Sequence, residues 1–194
     1  MSTRTPGTTV MSDPPLARFL FSDVRMAWLW FVVRVYLGYE WLQAGLHKVV
    51  DPAWMGDGAA LKGYWTRAVA LPEGGRPPIT YDWYRDFLNV LLLNETQVWF
   101  AKLVVWGEIL IGGALILGAL VGISAAFGAL MNLTFMLAGS ASTNPVLFLV
   151  AALLMLAWKT AGYWGLDRVL LPLLGTPWQL GRLFGARTRP QPAR

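Results

Sequence analysis

Residues 99–120 read WFAKLVVWGEILIGGALILGAL, an apolar run broken only by Lys102 and Glu108. A run of this length is typical of a membrane-spanning helix, which needs ~20 apolar residues to cross ~30 Å of hydrocarbon. An ionisable side chain inside hydrocarbon costs several kcal/mol unless it faces a partner charge or a cavity. We therefore expect Lys102 and Glu108 to point toward other helices rather than toward lipid.

Three further apolar stretches accompany this run. The chain is 56% hydrophobic and only 14% charged, which fits a small polytopic membrane protein better than a soluble domain. The sequence thus predicts an all-α fold, a bundle of four transmembrane helices. In chain order the four predicted spans are residues 27–50, 99–120, 123–139 and 146–163.

A long polar connection, residues 51–98, separates spans one and two. The segment PEGGRPP at 72–78 divides it, and each arm has apolar residues at helical spacing. We expect two short amphipathic helices that lie on the membrane surface or cap the bundle. The residues at helical spacing are Leu61, Tyr64, Trp65, Ala68 and Val69 in the first arm, and Trp83, Phe87, Val90, Leu91 and Asn94 in the second.

Half of the sixteen Lys and Arg residues lie in the two terminal flanks. Beside membrane spans this pattern indicates cytoplasmic termini in the cell (inner or plasma) membrane, with the 51–98 connection on the outer side. It also argues against nucleic acid as a partner. The predicted organisation is a polar N-terminal tail (1–26), a four-helix membrane domain (27–168), and an interfacial segment with a basic C-terminal tail (169–194). The tail at 1–26 is expected to be mobile and to end in a short interfacial turn, because it is polar and rich in Pro, Ser and Thr.

The chain has no Cys and a single histidine, His47. These two facts exclude disulfides, iron–sulfur ligation and thiolate metal sites within one chain, as well as a bis-His haem. We therefore expect no haem, iron–sulfur cluster or metal to be ligated by this chain alone. If the protein takes part in redox chemistry, the electrons must reside on a diffusible organic molecule or on a partner subunit.

Polar residues of three predicted spans fall at a similar depth. At ~1.5 Å per residue, Glu40, Glu108 and Asn132 lie about 15, 13 and 10 Å from the outer ends of their helices. The sequence therefore predicts a pocket that opens to the outer side. Glu108 and Glu40 are the candidate catalytic residues, because carboxyl groups in a low-dielectric site can exchange protons.

The predicted rim of this pocket carries His47, Lys48, Lys102 and Asn144, and these four with Asn132 are the candidate substrate-binding residues. Glu40 and His47 share one helical stripe with Tyr36 and Gln43, and we expect this polar stripe to face other helices. Alternatively, pairs of the type Glu40–Lys48 and Lys102–Glu108 only neutralise each other. His47 is expected to be a hydrogen-bonded interfacial residue rather than a metal ligand.

Near the cytoplasmic side, Arg34 of span one falls close to Asp167. A structural ion pair between Arg34 and Asp167 is the predicted role of both residues.

Several segments together resemble the DoxX/DoxD family of four-helix membrane proteins. They are RVYLGYEWLQAGLHK (34–48), WGEILIGGALILG (106–118), GALMNLTFMLAGS (128–140), NP (144–145) and GLDR (165–168). The resemblance covers about residues 34–168, and it implies association with respiratory or redox-defence complexes. DoxD-type members form the membrane subunit of thiosulfate:quinone oxidoreductase. The polar positions that recur in the family map onto Arg34, Lys48, Glu108, Asn144 and Asp167.

The function expected from these observations is that of an integral membrane redox subunit. It would bind quinone between spans one and two and, as the resemblance implies, support electron transfer of the thiosulfate:quinone oxidoreductase type. Glu108 would exchange the proton, Glu40 would be its coupled neighbour, and Lys48, Lys102 and His47 would attract an anion. The alternative is a non-catalytic anchor or accessory subunit whose 51–98 region docks a larger respiratory or redox complex. A small transporter is less favoured, since the two halves show no internal repeat. The expected partners are membrane lipid and a protein subunit.

Overall fold

The computed structural model describes residues 13–175, and within this range the chain forms ten α-helices and no strand. The predicted all-α class is confirmed for these residues. Four helices are long enough to build the bundle, and six shorter ones cover its two ends. The long ones are α2 (Ala27–Val49), α6 (Gln97–Leu117), α7 (Val121–Leu137) and α8 (Asn144–Leu156).

The fourth predicted span, 146–163, is interrupted. Helix α8 ends at Leu156, and a short helix α9 (Trp158–Ala161) follows after one residue. Trp158 packs against α7 there, since a Cβ added to Gly122 would lie 2.9 Å from Trp158 Cβ. Thr160 donates its hydroxyl hydrogen bond to the Phe21 carbonyl at 2.7 Å. The helix is therefore interrupted at the point where one contact with α7 and one with the N-terminal segment hold the chain.

Among the described residues, α6 is the one helix that is both long and apolar enough to cross a membrane. Helices α7 and α8 are apolar but shorter. Helix α2 has 23 residues, but Arg34, Glu40 and Lys48 lie within it. Each of the four long helices exposes a row of large apolar side chains, for example Val32, Leu110, Phe127 and Leu149.

Glycines set the distance between α2 and α6. A Cβ on Gly38 would lie 2.9 Å from the Gly112 carbonyl oxygen, and one on Gly45 would lie 3.1 Å from Glu108 Cβ. The two backbones are therefore nearly in contact along two turns. This close approach fixes the antiparallel register that brings Gly45, and with it the C-terminal end of α2, beside Glu108.

The N-terminal segment contains more helix than the short turn expected at the end of the predicted tail. Residues Pro15–Ser22 form α1, and Val24–Met26 form a 3₁₀ turn that leads into α2. The Trp30 indole donates a hydrogen bond to the Leu20 carbonyl at 2.6 Å, and its ring stacks on Phe21 at 5.6 Å. These contacts bury apolar surface of α1, which is why this part is helical. The rest of the predicted tail (1–12), and residues 176–194 of the predicted C-terminal segment, lie outside the described residues. Residues Asp167–Leu174 form α10.

The connection between α2 and α6 contains three helices, α3 (Pro52–Met55), α4 (Ala59–Val69) and α5 (Asp82–Leu93). Helix α4 buries Leu61, Trp65 and Ala68, three of the five apolar positions expected there. It packs on the end of the bundle together with Ile79 and Ala138. The prediction of two short helices in this connection is therefore correct in kind, with one additional turn of helix at α3.

Helix α5 buries a different face from the one predicted. Its buried residues are Tyr84 and Leu88, whereas Trp83 and Phe87 are 61% and 47% exposed. The Tyr84 hydroxyl donates a hydrogen bond to the Thr134 carbonyl at 2.9 Å. Burial raises the pKa of Tyr84 to about 12, so the side chain stays a neutral donor at physiological pH. The hydrogen bond to α7 explains why this face turns inward and why the aromatic row that includes Trp83 faces out.

At the opposite end of the bundle, Arg34 and Asp167 stabilise the turn between α6 and α7. Arg34 donates to the Leu115 and Ile116 carbonyls at the C-terminus of α6, the latter at 2.9 Å. The Asp167 carboxylate accepts from the backbone N–H groups of Leu120 and Val121 at 2.6 and 2.9 Å. Arg34 and Asp167 are both buried but are not hydrogen-bonded to each other.

The two charges therefore act on helix ends rather than as the direct ion pair that the sequence predicted. Helix termini leave backbone carbonyl and N–H groups without partners, and these groups need acceptors or donors when they are buried. Burial raises the pKa of Asp167, and the N–H groups of Val121 and Leu120, followed by the charge of Arg34, act against that increase.

We expect Asp167→Ala to lower the free energy of unfolding by about 2–4 kcal/mol, because two backbone N–H groups lose their acceptor at about 1–3 kcal/mol each. Unfolding in detergent micelles, followed by tryptophan fluorescence, measures this change. The matched control is Asp57→Ala. Asp57 accepts from the Ala59 N–H at 3.0 Å in an exposed position, so its loss should cost about 1 kcal/mol or less. Equal effects of the two substitutions would contradict the role assigned to Asp167.

Candidate functional site

A buried ion pair joins α2 to α6. Lys48 Nζ lies 2.7 and 2.8 Å from the two carboxylate oxygens of Glu108. The Glu108 side chain is 2% exposed, whereas that of Lys48 is 23% exposed. The lysine therefore reaches from the surface inward to a carboxylate that is almost fully buried. Neither of the pairs considered from sequence, Glu40–Lys48 and Lys102–Glu108, occurs among the described residues.

Lys48 also lines an open cavity of about 490 Å³ between α4, the end of α2, and the link from α7 to α8. This volume lies in the range of small-molecule sites, which are concave and mostly apolar with a few polar groups. We call it the cation pocket, because two cationic side chains, those of Lys48 and Arg67, line it. Its lining residues are Lys48, Trp54, Ala59, Ala60, Gly63, Tyr64, Arg67, Phe135, Ser140 and Asn144.

Helix α4 supplies one wall of the cation pocket. Ala60, Gly63, Tyr64 and Arg67 follow one another at spacings of three, one and three residues, so they share one face of the helix. The small residues at 60 and 63 leave the space, and Arg67 brings a second positive charge. Arg67 was missed from sequence because only the apolar face of this helix was considered. The sequence signal that indicates this site is a cationic residue, Arg67, on the same helical face as the small residues Ala60 and Gly63.

At the far side of the pocket, polar side chains are held in place by hydrogen bonds to backbone carbonyl groups. The Tyr64 hydroxyl donates to the Phe135 carbonyl at 3.3 Å, and burial raises the pKa of Tyr64 above its ordinary value. The Asn144 amide donates to the Ser140 carbonyl at 2.9 Å. Asn144, a candidate from sequence, therefore lies at the same site as Lys48.

The pocket combines positive charge with aromatic surface. Lys48 Nζ lies 5.2 Å from the centre of the Trp54 ring, and Tyr64 and Phe135 add two further rings. Lys48 and Arg67 are hydrogen-bond donors that carry full charge, and Asn144 and Tyr64 add neutral polar groups. An arrangement of this kind can hold a flat ring that bears carbonyl or anionic oxygens.

Glu40 and His47 do not take part in this site. Their stripe on α2 was expected to face other helices, but Tyr36 is 50% exposed, and Gln43 and His47 are exposed as well. His47 lines a separate shallow cleft together with Gln43, and Glu40 is half-buried. The buried stripe of α2 is the one that contains Arg34 and the glycines, because only that face can approach α6 closely. The predicted floor formed by Glu40 and Glu108 together is therefore not present.

Lys102 and Asn132 do not line the cation pocket either. Lys102 is half-buried on α6. Asn132 is fully buried, and its amide nitrogen and oxygen have no hydrogen-bond partner within the described part of the chain. Contacts of Gly107 with Met131 place Asn132 near the level of Glu108, so the predicted similarity in depth holds for these two residues.

A scan of protein-family models, a search of curated proteins and a search of solved structures each returned no match to this chain. The resemblance to the DoxX/DoxD family therefore remains a prediction from the quoted motifs.

Proposed function

We propose that the protein is a multi-pass membrane protein in which α2, α6, α7 and the α8–α9 pair cross the bilayer. Helix α6 has the length and composition for this. The exposed apolar rows on all four long helices support it, because a soluble monomer rarely exposes contiguous apolar patches larger than a few hundred Å². In this arrangement α3–α5 and the cation pocket face the outer side, and the termini are cytoplasmic.

We propose further that the cation pocket binds the head group of a quinone, and that the protein is a redox subunit of the DoxX/DoxD type. The observation that carries this proposal is the Lys48–Glu108 pair at the wall of a pocket that also holds Arg67 and aromatic rings. Quinone carbonyl oxygens accept hydrogen bonds, which Lys48 and Arg67 can donate. The rings of Trp54 and Tyr64 can pack against a flat six-membered ring.

Lys48 and Glu108 would together supply the protons that reduction of the quinone consumes. Lys48 would hold a ring oxygen of the bound quinone through its ammonium group and would supply a proton to that oxygen, once for each of the two protons that a quinol gains. Glu108 would favour the return of a proton to Lys48, because an unpaired carboxylate is costly in the protein interior. This cost drives Lys48 to take a new proton from the outer side, where part of its side chain is exposed.

The proposed electron donor is thiosulfate. Two thiosulfate ions join through a new S–S bond to give tetrathionate and release two electrons. Those electrons and two protons convert the quinone to a quinol. Because the chain has no Cys, it cannot form a covalent bond to thiosulfate through a thiol. We therefore assign thiosulfate oxidation to a partner subunit, which passes the electrons to the quinone.

We expect Arg67→Ala to weaken binding of a quinone head group by about 10–100-fold, since a hydrogen bond from a charged donor contributes about 1.5–3 kcal/mol. The measurement is equilibrium binding of a water-soluble benzoquinone and a naphthoquinone to the purified protein in lipid nanodiscs. The matched control is Lys62→Ala. Lys62 lies on the same helix, is half-exposed, and pairs at 3.7 Å with exposed Glu95, so its loss should leave binding unchanged.

Two results would count against the proposal. If neither quinone binds the folded protein, the pocket has a different ligand. If thiosulfate itself binds and Arg67→Ala weakens that binding alone, the site is an anion site without a quinone.

The alternative function, a non-catalytic anchor or accessory subunit, is favoured by the exposed row on α5. The exposed large apolar or aromatic residues at the pocket end of the bundle are Trp83, Phe87, Val90 and Leu93 on α5, with Tyr81 just before the helix. A row of this kind can dock a protein or lie in the headgroup region of the membrane. A folded protein that binds no quinone but copurifies with a redox complex would support this alternative.

A further inference from the structure

A second cavity, of about 480 Å³, lies between α6 and α7. We call it the apolar groove. Its lining is almost wholly hydrocarbon, with Phe100, Leu103, Val104, Leu110, Phe127 and Met131 among the residues. It has no charged residue, in contrast to the cation pocket. The groove therefore suits an apolar chain rather than a polar group.

A glycine in its wall leaves this groove open. Gly107 lies in its wall, and a Cβ added there would meet Met131 Sδ at 3.5 Å, an ordinary contact distance. A larger side chain at position 107 would occupy the groove. Gly113, six residues further along the same helix, has no atom within 4 Å of an added Cβ and does not line the groove. Gly107 therefore leaves space inside the groove, whereas Gly113 does not border it.

The groove and the cation pocket share one residue, Phe135. The groove extends along α6 from Ile111 to Phe100, which is about 16 Å at ~1.5 Å per residue. Its Phe100 end is the end at which α4 packs, since the Phe100 and Trp65 rings meet at 5.5 Å. A molecule with its head beside Lys48 and Arg67 could thus pass Phe135 and lay a tail into the groove.

We propose that the apolar groove binds the isoprenoid chain of the quinone, with Phe135 at the junction of head and tail. This proposal rests on the proposed function, because it takes the cation pocket as the site of the head group. The protein has its polar pocket next to an apolar groove, as a long-chain quinone has a polar head group next to an apolar tail. Gly107 is then the residue that determines whether a long-chain quinone fits.

The test is photolabelling with a long-chain quinone that carries a diazirine on its tail, in nanodiscs of the full chain. Peptide mapping should place the label on residues 100–111 and 127–135, and excess unlabelled quinone should suppress it. Gly107→Leu should lower the competed labelling about tenfold, because the added side chain fills part of the groove and removes van der Waals contacts with the tail. Gly113→Leu should leave it unchanged.

Leu103→Trp offers a second way to fill the groove, because Leu103 is 56% exposed and a larger ring there need not disturb the core. It should lower the competed labelling as Gly107→Leu does. Label in the groove that excess phospholipid suppresses and quinone does not would identify a lipid site and overturn the inference. Label spread evenly over the exposed apolar rows would overturn it as well.

Binding of a quinone without a tail separates this inference from the proposed function. If the tailless head group binds in an Arg67-dependent manner while the tail label avoids the groove, only the groove assignment is wrong. If the tailless head group does not bind at all, the proposed function itself fails.

Discussion

Replacing Lys48 with alanine is expected to lower the free energy of unfolding by about 3 kcal/mol, and to abolish quinone binding. The substitution leaves Glu108, which is 2% exposed, with no cation within hydrogen-bond distance. Breaking a buried pair by removing one partner costs about 3–5 kcal/mol. We expect the lower end of that range, because water can reach the space that the partly exposed lysine vacates. Urea unfolding in detergent micelles measures the stability, and the nanodisc assay measures binding.

The double substitution Lys48→Met with Glu108→Leu separates the two effects of this pair. Apolar residues of similar size remove both charges, and such replacements are often neutral or stabilising for a buried pair. We therefore expect the double variant to unfold close to the wild-type midpoint and still to bind no quinone. A Lys48→Ala variant as stable as the wild type would show that Glu108 finds another cation. If the double variant binds quinone normally, neither Lys48 nor Glu108 takes part in quinone binding.

Much of the bundle was predictable because its signal is local. The apolar runs around α2, α6 and α7 place the helix bounds within about three residues of those observed, since length and composition suffice for this. The interruption after Leu156 was not predictable in the same way. It depends on contacts of Trp158 and Thr160 with residues far away in sequence.

The candidate site was only partly predictable, because sequence gives the angle of a side chain on its helix but not the face that the helix buries. The rule that a polar stripe faces inward selected the stripe of Glu40 and His47. The structure buries the stripe of Gly38, Gly45 and Lys48 instead. Backbone proximity decided this, since only residues without side chains let two helices approach so closely. Lys48, Glu108 and Asn144 were identified as candidates, but their true partners depend on that register.

Gly112→Ala is expected to lower the free energy of unfolding by more than the addition of one methyl group suggests. A Cβ at position 112 would overlap the Leu42 backbone nitrogen and lie 2.7 Å from the Gly38 carbonyl oxygen. Both are backbone atoms of α2, so no side-chain rotation can relieve the clash. The helices must move apart, which costs about 1–3 kcal/mol for overpacking. It also draws Lys48 away from Glu108, so we expect a total loss of about 3 kcal/mol, measured by urea unfolding.

The neighbouring glycine provides the control for this effect. A Cβ on Gly113 meets nothing within 4 Å, so Gly113→Ala should only exchange glycine for a better helix former and stabilise the protein by about 1 kcal/mol or less. Opposite signs at two adjacent positions of one helix would show that the α2–α6 contact, rather than helix propensity, makes position 112 sensitive. Equal and small effects at both positions would mean that the two helices are not as close as the glycines require. In that case the register that brings Lys48 to Glu108 would have to be set elsewhere.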